Sequence, residues 1–412
     1  MNLFVRLLII STIFLLIDIY AFQALKRITV NKLFWLIYWA SSIAVLLNAN
    51  YVMINFSRYE GPTIATLNAS GWLLLLYIPK LMIVFVLLGE DLMRVLIVIW
   101  NFIYEKFFGA NTNVDFIPER RKLISQLAFG LAAIPFASIV YGIAKGKYNF
   151  KVIKHDIWFD DLPEEFDGFQ ITQISDVHSG SFNDRAKISY AIDLINEQES
   201  DIVVFTGDLI NNKAEEMLPW IDCFKRINAK EGKFSILGNH DYGDYITWRN
   251  KEEKVENLNK LKDIHKETGF DLLLNSSRKL KRNEEYISLV GVENWGVRFK
   301  QKGDLKKAMD GVGFNDFKVL LSHDPSHWTE EVKNYNSKIH LTLSGHTHGM
   351  QFGIEIPGFS WSPVQYMYKH WAGLFEKAGR YLYVNRGFGF HAFPGRVGIW
   401  PEITVLKLRK IK

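Results

Sequence analysis

Cysteine occurs once in the 412 residues, as Cys223. One thiol makes no disulfide framework and no thiolate zinc site. A strong charge of either sign is also missing. Lys and Arg number 49 against 44 Asp and Glu, a net +5. That surplus is too small and too dispersed for the clustered basic face of a nucleic-acid binder, so no nucleic-acid partner is expected. No P-loop or kinase-type Gly-rich motif occurs, which leaves NTP-driven transfer without its phosphate cradle. Repeats and low-complexity tracts are absent. With 48% hydrophobic and 23% charged residues, disorder of the whole chain is excluded.

A mean hydropathy near zero conceals two unlike halves. Leu7–Leu25 is apolar except for Asp18, Leu33–Phe56 and Leu123–Ala144 carry no charge, and Gly71–Gly89 carries only Lys80. About 20 such residues cross a bilayer as a helix, so residues 1–148 read as an all-α transmembrane region of about four spans. Leu92–Tyr104 prolongs the third span past Glu90, Asp91 and Arg94, either as one long tilted helix or as a span followed by an interfacial helix. The charges Lys80, Glu90, Asp91 and Arg94 are expected at helix ends, snorkelling or paired as Asp91 with Arg94. Lys26, Arg27 and Lys32 follow the first span, and Arg120, Arg121 and Lys122 precede the fourth. The positive-inside rule places both loops in the cytoplasm and the C-terminal half outside it. Lys145, Lys147, Lys151 and Lys154 argue the other way. The stretch Glu119-Arg120-Arg121-Lys122, similar to a twin-arginine signal, breaks the tie toward an extracytoplasmic domain on a multi-pass cell-membrane protein.

From about residue 149 to 412 short apolar runs alternate with polar helical stretches. Strands are expected at Phe169–Ser175, Ile202–Thr206, Phe234–Leu237, Ile287–Val292, Lys318–Leu321, His340–Leu343, Tyr381–Asn385 and Ile403–Leu408, and helices at Ala186–Gln198 and Lys251–Lys266. The alternation indicates an α/β fold with sheets buried on both faces. Five strands end in ligand-type residues: Asp176-Val177-His178, Gly207-Asp208, Gly238-Asn239-His240-Asp241, Ser322-His323-Asp324 and Gly345-His346-Thr347-His348. Sites gather at such carboxyl ends. Asp176, His178, Asp208, Asn239, His323, His346 and His348 make seven oxygen and nitrogen donors, more than one ion takes. Two divalent ions sharing a carboxylate account for them, and a sulfur-free set suits manganese, iron or zinc. The i, i+2 spacing of Asp176 with His178, and of His346 with His348, places each pair on one side of an extended segment.

At these residues the chain resembles the calcineurin-like metallophosphoesterases, whose blocks D-x-H, G-D, G-N-H-[DE], H and G-H-x-H all occur in order. It is similar to their membrane-anchored bacterial branch, also at Phe166-Asp167-Gly168-Phe169, Tyr383-Val384-Asn385-Arg386-Gly387 and Pro401-Glu402-Ile403. Met350 departs from it, standing where that branch has a second glycine. The resemblance implies a two-sheet metallophosphoesterase sandwich flanked by helices. It implies Asp176, His178 and His348 on a first metal, Asn239, His323 and His346 on a second, and Asp208 bridging. It further implies His240 as proton donor to the leaving oxygen, with Asp241 orienting its ring, and attack on phosphorus by a hydroxide shared between the metals.

The expected function is therefore a membrane-anchored phosphoesterase acting on phosphate mono- or diesters or a lipid-linked phosphate. The aromatic stretch at 352–400 reads either as core or as a lipid-facing collar in which Arg386, Arg396 and His391 meet a head group. The alternatives are a UDP-diacylglucosamine-type pyrophosphohydrolase of lipid A synthesis, which needs a cytoplasmic domain, and a non-catalytic metal-stabilised membrane sensor. Oligomeric state is not legible.

Overall fold

A computed structural model of the chain describes residues 2–109 and 118–411. The chain divides into two compact units, Met1–Phe56 with Asn68–Tyr141, and Ser57–Leu67 with Gly142–Lys412.

The first unit consists of apolar helices: α1 (Leu3–Ile28), α2 (Lys32–Ile54), α3 (Ile64–Phe108) and most of α4 (Pro118–Ala144). Asn2 and Asn31 cap the first two, each side chain accepting from a backbone N–H two residues on. All four are long and apolar enough to cross a membrane. Their flanks expose Leu16, Phe85, Trp100 and Ile134 at 60, 76, 66 and 65%, a lateral surface that only lipid covers at no cost. The third span is one helix of 45 residues, not a span plus a separate interfacial helix. At 1.5 Å per residue it is about 68 Å long, roughly twice a hydrocarbon core.

The charges of this unit are not at helix ends. Lys80 Nζ lies 2.5 Å from Asp18 Oδ1 and 2.6 Å from Ser42 Oγ. Tyr77 donates to Asp18 Oδ2 at 2.8 Å, and Ser42 donates to Asp18 Oδ1 at 3.0 Å. Asp18, Ser42 and Lys80 are all buried. The expected Asp91–Arg94 pair is also replaced. Arg94 pairs with Glu90 at 2.7 Å, and Asp91 takes Tyr20 at 2.5 Å and Arg121 at 3.5 Å. In a low-dielectric interior a charge with a partner on a neighbouring helix is cheaper there than one left alone.

The second unit is a sandwich of two six-stranded sheets. One has the order Lys151–Phe159, Glu402–Lys410, Gln170–Ile174, Ile202–Phe205, Gly232–Ser235, Asp271–Leu272. The other runs Gly373–Lys377, Arg380–Val384, Leu341–Ser344, Lys318–Leu321, Glu285–Gly291, Ser276–Arg282. The four strands from Gln170 to Leu272 are mutually parallel, as are Glu285–Gly291, Lys318–Leu321, Leu341–Ser344 and Arg380–Val384. Side-chain alternation assigns the layers. Ile202 and Val204 meet Leu289, Val319, Leu321 and Leu343 between the sheets. Val203 and Phe205 face outward onto Ile188, Ile192 and Ile195 of helix Arg185–Asn196. Val290 and Leu320 face outward onto Leu305, Trp328 and Val332. Strands covered on both faces must be apolar throughout, which explains the unbroken runs Ile202–Phe205 and Leu341–Leu343.

The connection 57–67 belongs to this second unit although the sequence groups it with the spans. Tyr59 donates to Glu253 at 2.5 Å, Thr247 N–H donates to Arg58 O at 2.8 Å, and Lys213 Nζ sits 4.0 Å from the Tyr59 ring centroid.

Candidate metal centre

Two sets of parallel strands aim their carboxyl ends at one place. Ile174, Phe205, Ser235, Leu321 and Ser344 end their strands, and the next one to four residues in each case carry a ligand-type side chain. The loops are tied to each other: Asp176 N–H donates to Gly207 O at 2.9 Å, His178 N–H to Asp208 O at 3.1 Å, and Gly345 N–H to His323 O at 2.9 Å. Gly207 has φ +98°, and a Cβ there would lie 2.5 Å from Gly238 N. Only glycine lets these two loops close.

The expected extended geometry of the Asp176/His178 and His346/His348 pairs is not found. Asp176, His178, Asp208, His346 and His348 have φ of 53, 47, 62, 72 and 51°. Each turns through the left-handed region, where a side chain other than glycine is strained. Packing holds them there, and their side chains converge as a result.

All seven expected ligands form one connected cluster. His348 Nε2 is 3.2 Å from Asp176 Oδ1 and 3.0 Å from His178 Nε2. His178 Nε2 is 3.7 Å from Asp208 Oδ2, which is 3.1 Å from His323 Nε2. His323 Nε2 in turn lies 3.1 Å from Asn239 Oδ1 and 3.2 Å from His346 Nδ1. Asp176 with His178 and His348, and Asp208 with His323 and His346, each bring three ligand atoms within 4.8 Å of one another. His178, Asp208 and His240 form a third such group.

The donor chemistry fits divalent cations. His178 donates through Nδ1 to Asn211 Oδ1 at 3.0 Å, and His323 through Nδ1 to Thr206 O at 2.7 Å. Both rings therefore present Nε2 inward, as metal-bound histidines backed by an acceptor do. Burial, reinforced by His391, His240 and His348, holds His178 neutral well below the usual histidine range. Burial lowers His346 as well. Burial opposes ionisation of Asp208, but His323 and His240 overcome it and keep the carboxylate charged. Burial likewise disfavours a charged His323, yet Asp208 and Asp176 outweigh it and push this imidazole up to about 10. In the metal-free site His323 thus carries the proton whose place a cation takes.

His240 stands beside the cluster. Its backbone N–H donates to Asp208 Oδ1 at 2.8 Å, and its ring Nδ1–H donates to Asn211 O at 2.8 Å. That bond fixes the tautomer and leaves Nε2 for a substrate oxygen. Asp241 does not orient the His240 ring. Its carboxylate accepts from the N–H groups of Asp208, Leu209 and Gly238 at 2.9, 2.8 and 2.8 Å. Burial and the neighbouring Asp208 raise it. Asp241 holds the Asp208 loop, and the Asn211 carbonyl takes the orienting role.

The head-group residues are also redistributed. Arg386 is bridged to Glu355 and Glu402, each at 2.6 Å. Arg396 is fully buried and donates to the carbonyls of Arg386 and Gly389 at 2.8 and 2.6 Å. Arg396 Nη2 also lies 3.3 Å from Nδ1 of His348, so it backs the site from behind. His391 does reach the site, stacking on His178 at 4.8 Å and 18°. The aromatic stretch splits: Phe388 and Phe390 are core, while Phe359 and Tyr366 are exposed at 52 and 77%. Met350 is 48% exposed. Sequence reasoning missed Asn211, Tyr245 and Tyr368. Tyr245 lies over the His240 ring at 4.5 Å and accepts from Asn239 at 2.7 Å. Tyr368 OH is 2.9 Å from His346 Nε2. No spacing rule links them to the ligands; only Asn211, three residues past Asp208, was close enough in sequence to suspect.

Comparison with known proteins agrees with this geometry. Residues 2–147 match the family described as probable calcineurin-like phosphoesterase, transmembrane domain, and residues 169–350 match calcineurin-like phosphoesterase. An uncharacterised metallophosphoesterase of Bacillus subtilis is 30% identical over 297 residues, covering 70% of this chain and 97% of that protein. A transmembrane protein with metallophosphoesterase domain from Danio rerio is 28% identical over 282 residues, 66% of this chain but only 60% of that protein's length. A UDP-2,3-diacylglucosamine pyrophosphatase of Chlamydia trachomatis is 28% identical over 277 residues, covering 56% of this chain and 81% of that protein. The chain belongs to the calcineurin-like metallophosphoesterase family, and it is a membrane protein with four apolar helices ahead of its phosphoesterase domain.

Proposed function

We propose that this chain is a membrane-anchored, dinuclear-metal phosphoesterase that hydrolyses a phosphate ester or a lipid-linked phosphate. One observation carries the reading: seven oxygen and nitrogen ligands from five strand ends meet in a single buried cluster beside an uncommitted His240 Nε2. Asp176, His178 and His348 would hold one divalent ion and Asn239, His323 and His346 another, with Asp208 between them. Two such ions, of manganese, iron or zinc, supply Lewis acidity that activates water and offsets phosphoryl charge. His240 carries a proton to the leaving oxygen. Because Nδ1–H is committed to Asn211 O, the ring gives up a proton at Nε2 only from its imidazolium form. Asp241 and Asn211 keep Asp208 and His240 in register.

The Lys and Arg distribution around the spans is nearly tied, and the Arg120-Arg121 pair ahead of the fourth span tips it toward an extracytoplasmic domain. The similarity to a UDP-2,3-diacylglucosamine pyrophosphatase favours a second reading, a lipid-linked pyrophosphate as substrate, which calls for a cytoplasmic domain. A topology reporter fused after Lys412 separates the two.

The test of the activity is hydrolysis of bis-p-nitrophenyl phosphate and p-nitrophenyl phosphate by the full-length protein in detergent with manganese. Manganese-dependent turnover abolished by chelation supports hydrolysis. Full metal loading with no turnover of either ester or of a lipid phosphate would return the protein to the sensor reading.

A further inference from the structure

Two clefts open beside the second ligand group, and one side chain lines both. A 270 Å³ cleft is bounded by Arg298, Tyr368, Lys369 and His370. A 200 Å³ cleft is bounded by Asn239, Tyr245, Arg298 and Lys300. Each touches the metal centre directly. Tyr368 bonds His346, and Asn239 is itself one of the seven ligands. Phe299, next to Arg298, places its ring 4.9 Å from the His346 ring. The loop bearing Arg298 is anchored, since Val297 N–H donates to Ser326 Oγ at 3.1 Å and Lys302 N–H to Asn294 O at 2.9 Å.

The charges of these clefts do not balance. The first has Arg298 and Lys369 against Glu330. In the second, Arg298 and Lys300 stand against Asp244, and Asp244 already pairs with both Lys254 and Lys300. Burial keeps His370 on the neutral side and so adds no charge. Arg298 remains the cation common to both spaces, with no ion pair among the described residues. A substrate with one phosphoryl group has its charge met at the metal centre. An extra guanidinium at the rim matches a second anion, and its planar fork suits phosphate oxygens in particular.

We propose that Arg298 is a specificity residue that binds a second phosphoryl group, adjacent to the one hydrolysed, so that the preferred substrates carry a pyrophosphate linkage. The inference rests on the phosphoesterase reading above. Hydrolysis breaks one P–O bond of the bridging oxygen; water gives its hydroxyl to the attacked phosphorus and its proton to the departing phosphate. Arg298 holds that departing phosphate and takes no part in the proton transfer.

The experiment compares full-length wild type, Arg298→Ala and Arg298→Lys, all loaded with manganese, on two probes: bis-p-nitrophenyl phosphate and UDP-N-acetylglucosamine. Arg298→Ala is expected to lower kcat/KM on the pyrophosphate probe by about 10- to 100-fold. On the single-phosphorus diester its loss should stay within about twofold, and Arg298→Lys should recover only part of the difference. Equal losses on both probes would overturn the assignment, as would wild type that hydrolyses the diester but not the pyrophosphate. Absence of turnover on both probes by the loaded wild type would instead count against the phosphoesterase reading itself.

Discussion

The two units each bury a knot of charged and polar side chains, and the knots differ in kind. In the membrane unit Asp18 is matched by Lys80, and Ser42 and Tyr77 occupy the remaining oxygen positions. The ionic account is closed by the chain itself. In the phosphoesterase unit Asp176 and Asp208 share a space with four imidazoles and one carboxamide. Two of those imidazoles face each other through Nε2 at 3.0 Å, and among the described residues no lysine or arginine pairs with either carboxylate. Burial favours the neutral ring at His178 and His346. A carboxylate that finds its own cation makes a structural pair. Carboxylates surrounded by imidazoles, of which His323 holds a proton that a metal can displace, make a place for an external cation.

Breaking the second knot should have the largest effect. Asp208→Asn removes the carboxylate proposed to lie between the two ions, so it should lose bound metal together with more than about 10⁴-fold of activity, beyond the usual loss for a single proton donor. Metal analysis and bis-p-nitrophenyl phosphate kinetics read both. His240→Ala should cost about 10²–10⁴-fold in kcat while leaving metal content unchanged. It should also remove the alkaline fall of the rate. That fall is expected in wild type because the donor is the imidazolium; burial lowers His240, so the fall lies below the ordinary histidine range. A His240→Ala profile with the same alkaline limb would sink the donor role.

The first knot should break differently. Lys80→Met strands Asp18 in the bundle and should cost about 3–5 kcal/mol of membrane-unit stability, whereas Lys80→Met with Asp18→Leu should recover most of it. Thermal unfolding in detergent measures this, and neither variant should change metal content. The smallest effect concerns pH. In the metal-free protein His323 is raised from its ordinary value to about 10. Its contribution to stability is full below the unfolded histidine range near 6.5 and is lost as pH rises through about 10. Metal displaces that proton, so metal affinity should rise with pH, and a titration at pH 6 and pH 8 should show weaker binding at the lower value.

Much of the site was legible because its signal is local. Each ligand follows a short apolar strand, and strand ends of a parallel sheet point one way. That these seven side chains and His240 would converge was readable on that basis, and the four apolar helices were readable from their length and composition. Dihedral detail was not. The spacing of Asp176 and His178 suggested an extended segment, and the chain instead turns through positive φ at both. Contacts between distant segments were also illegible. Asp241 clamping the Asp208 loop, Asn211 orienting His240, Asp18 reaching Lys80 across 62 positions and Tyr59 docking on Glu253 all depend on tertiary closure. The edge strand Lys151–Phe159 was missed for a related reason. Lys151, Lys154, His155 and Asp156 make its first half read as a linker, although Ile157 and Phe159 are buried once Glu402–Lys410 pairs with it.

The measurement that bears most directly on this account is the metal content of the full-length protein, purified with manganese and dialysed, beside Asp208→Asn and Lys80→Met prepared identically. The account predicts about two ions per chain in wild type and in Lys80→Met, and fewer than about one in Asp208→Asn. Wild type that retains no metal, or an Asp208→Asn protein that retains as much as wild type, would contradict it.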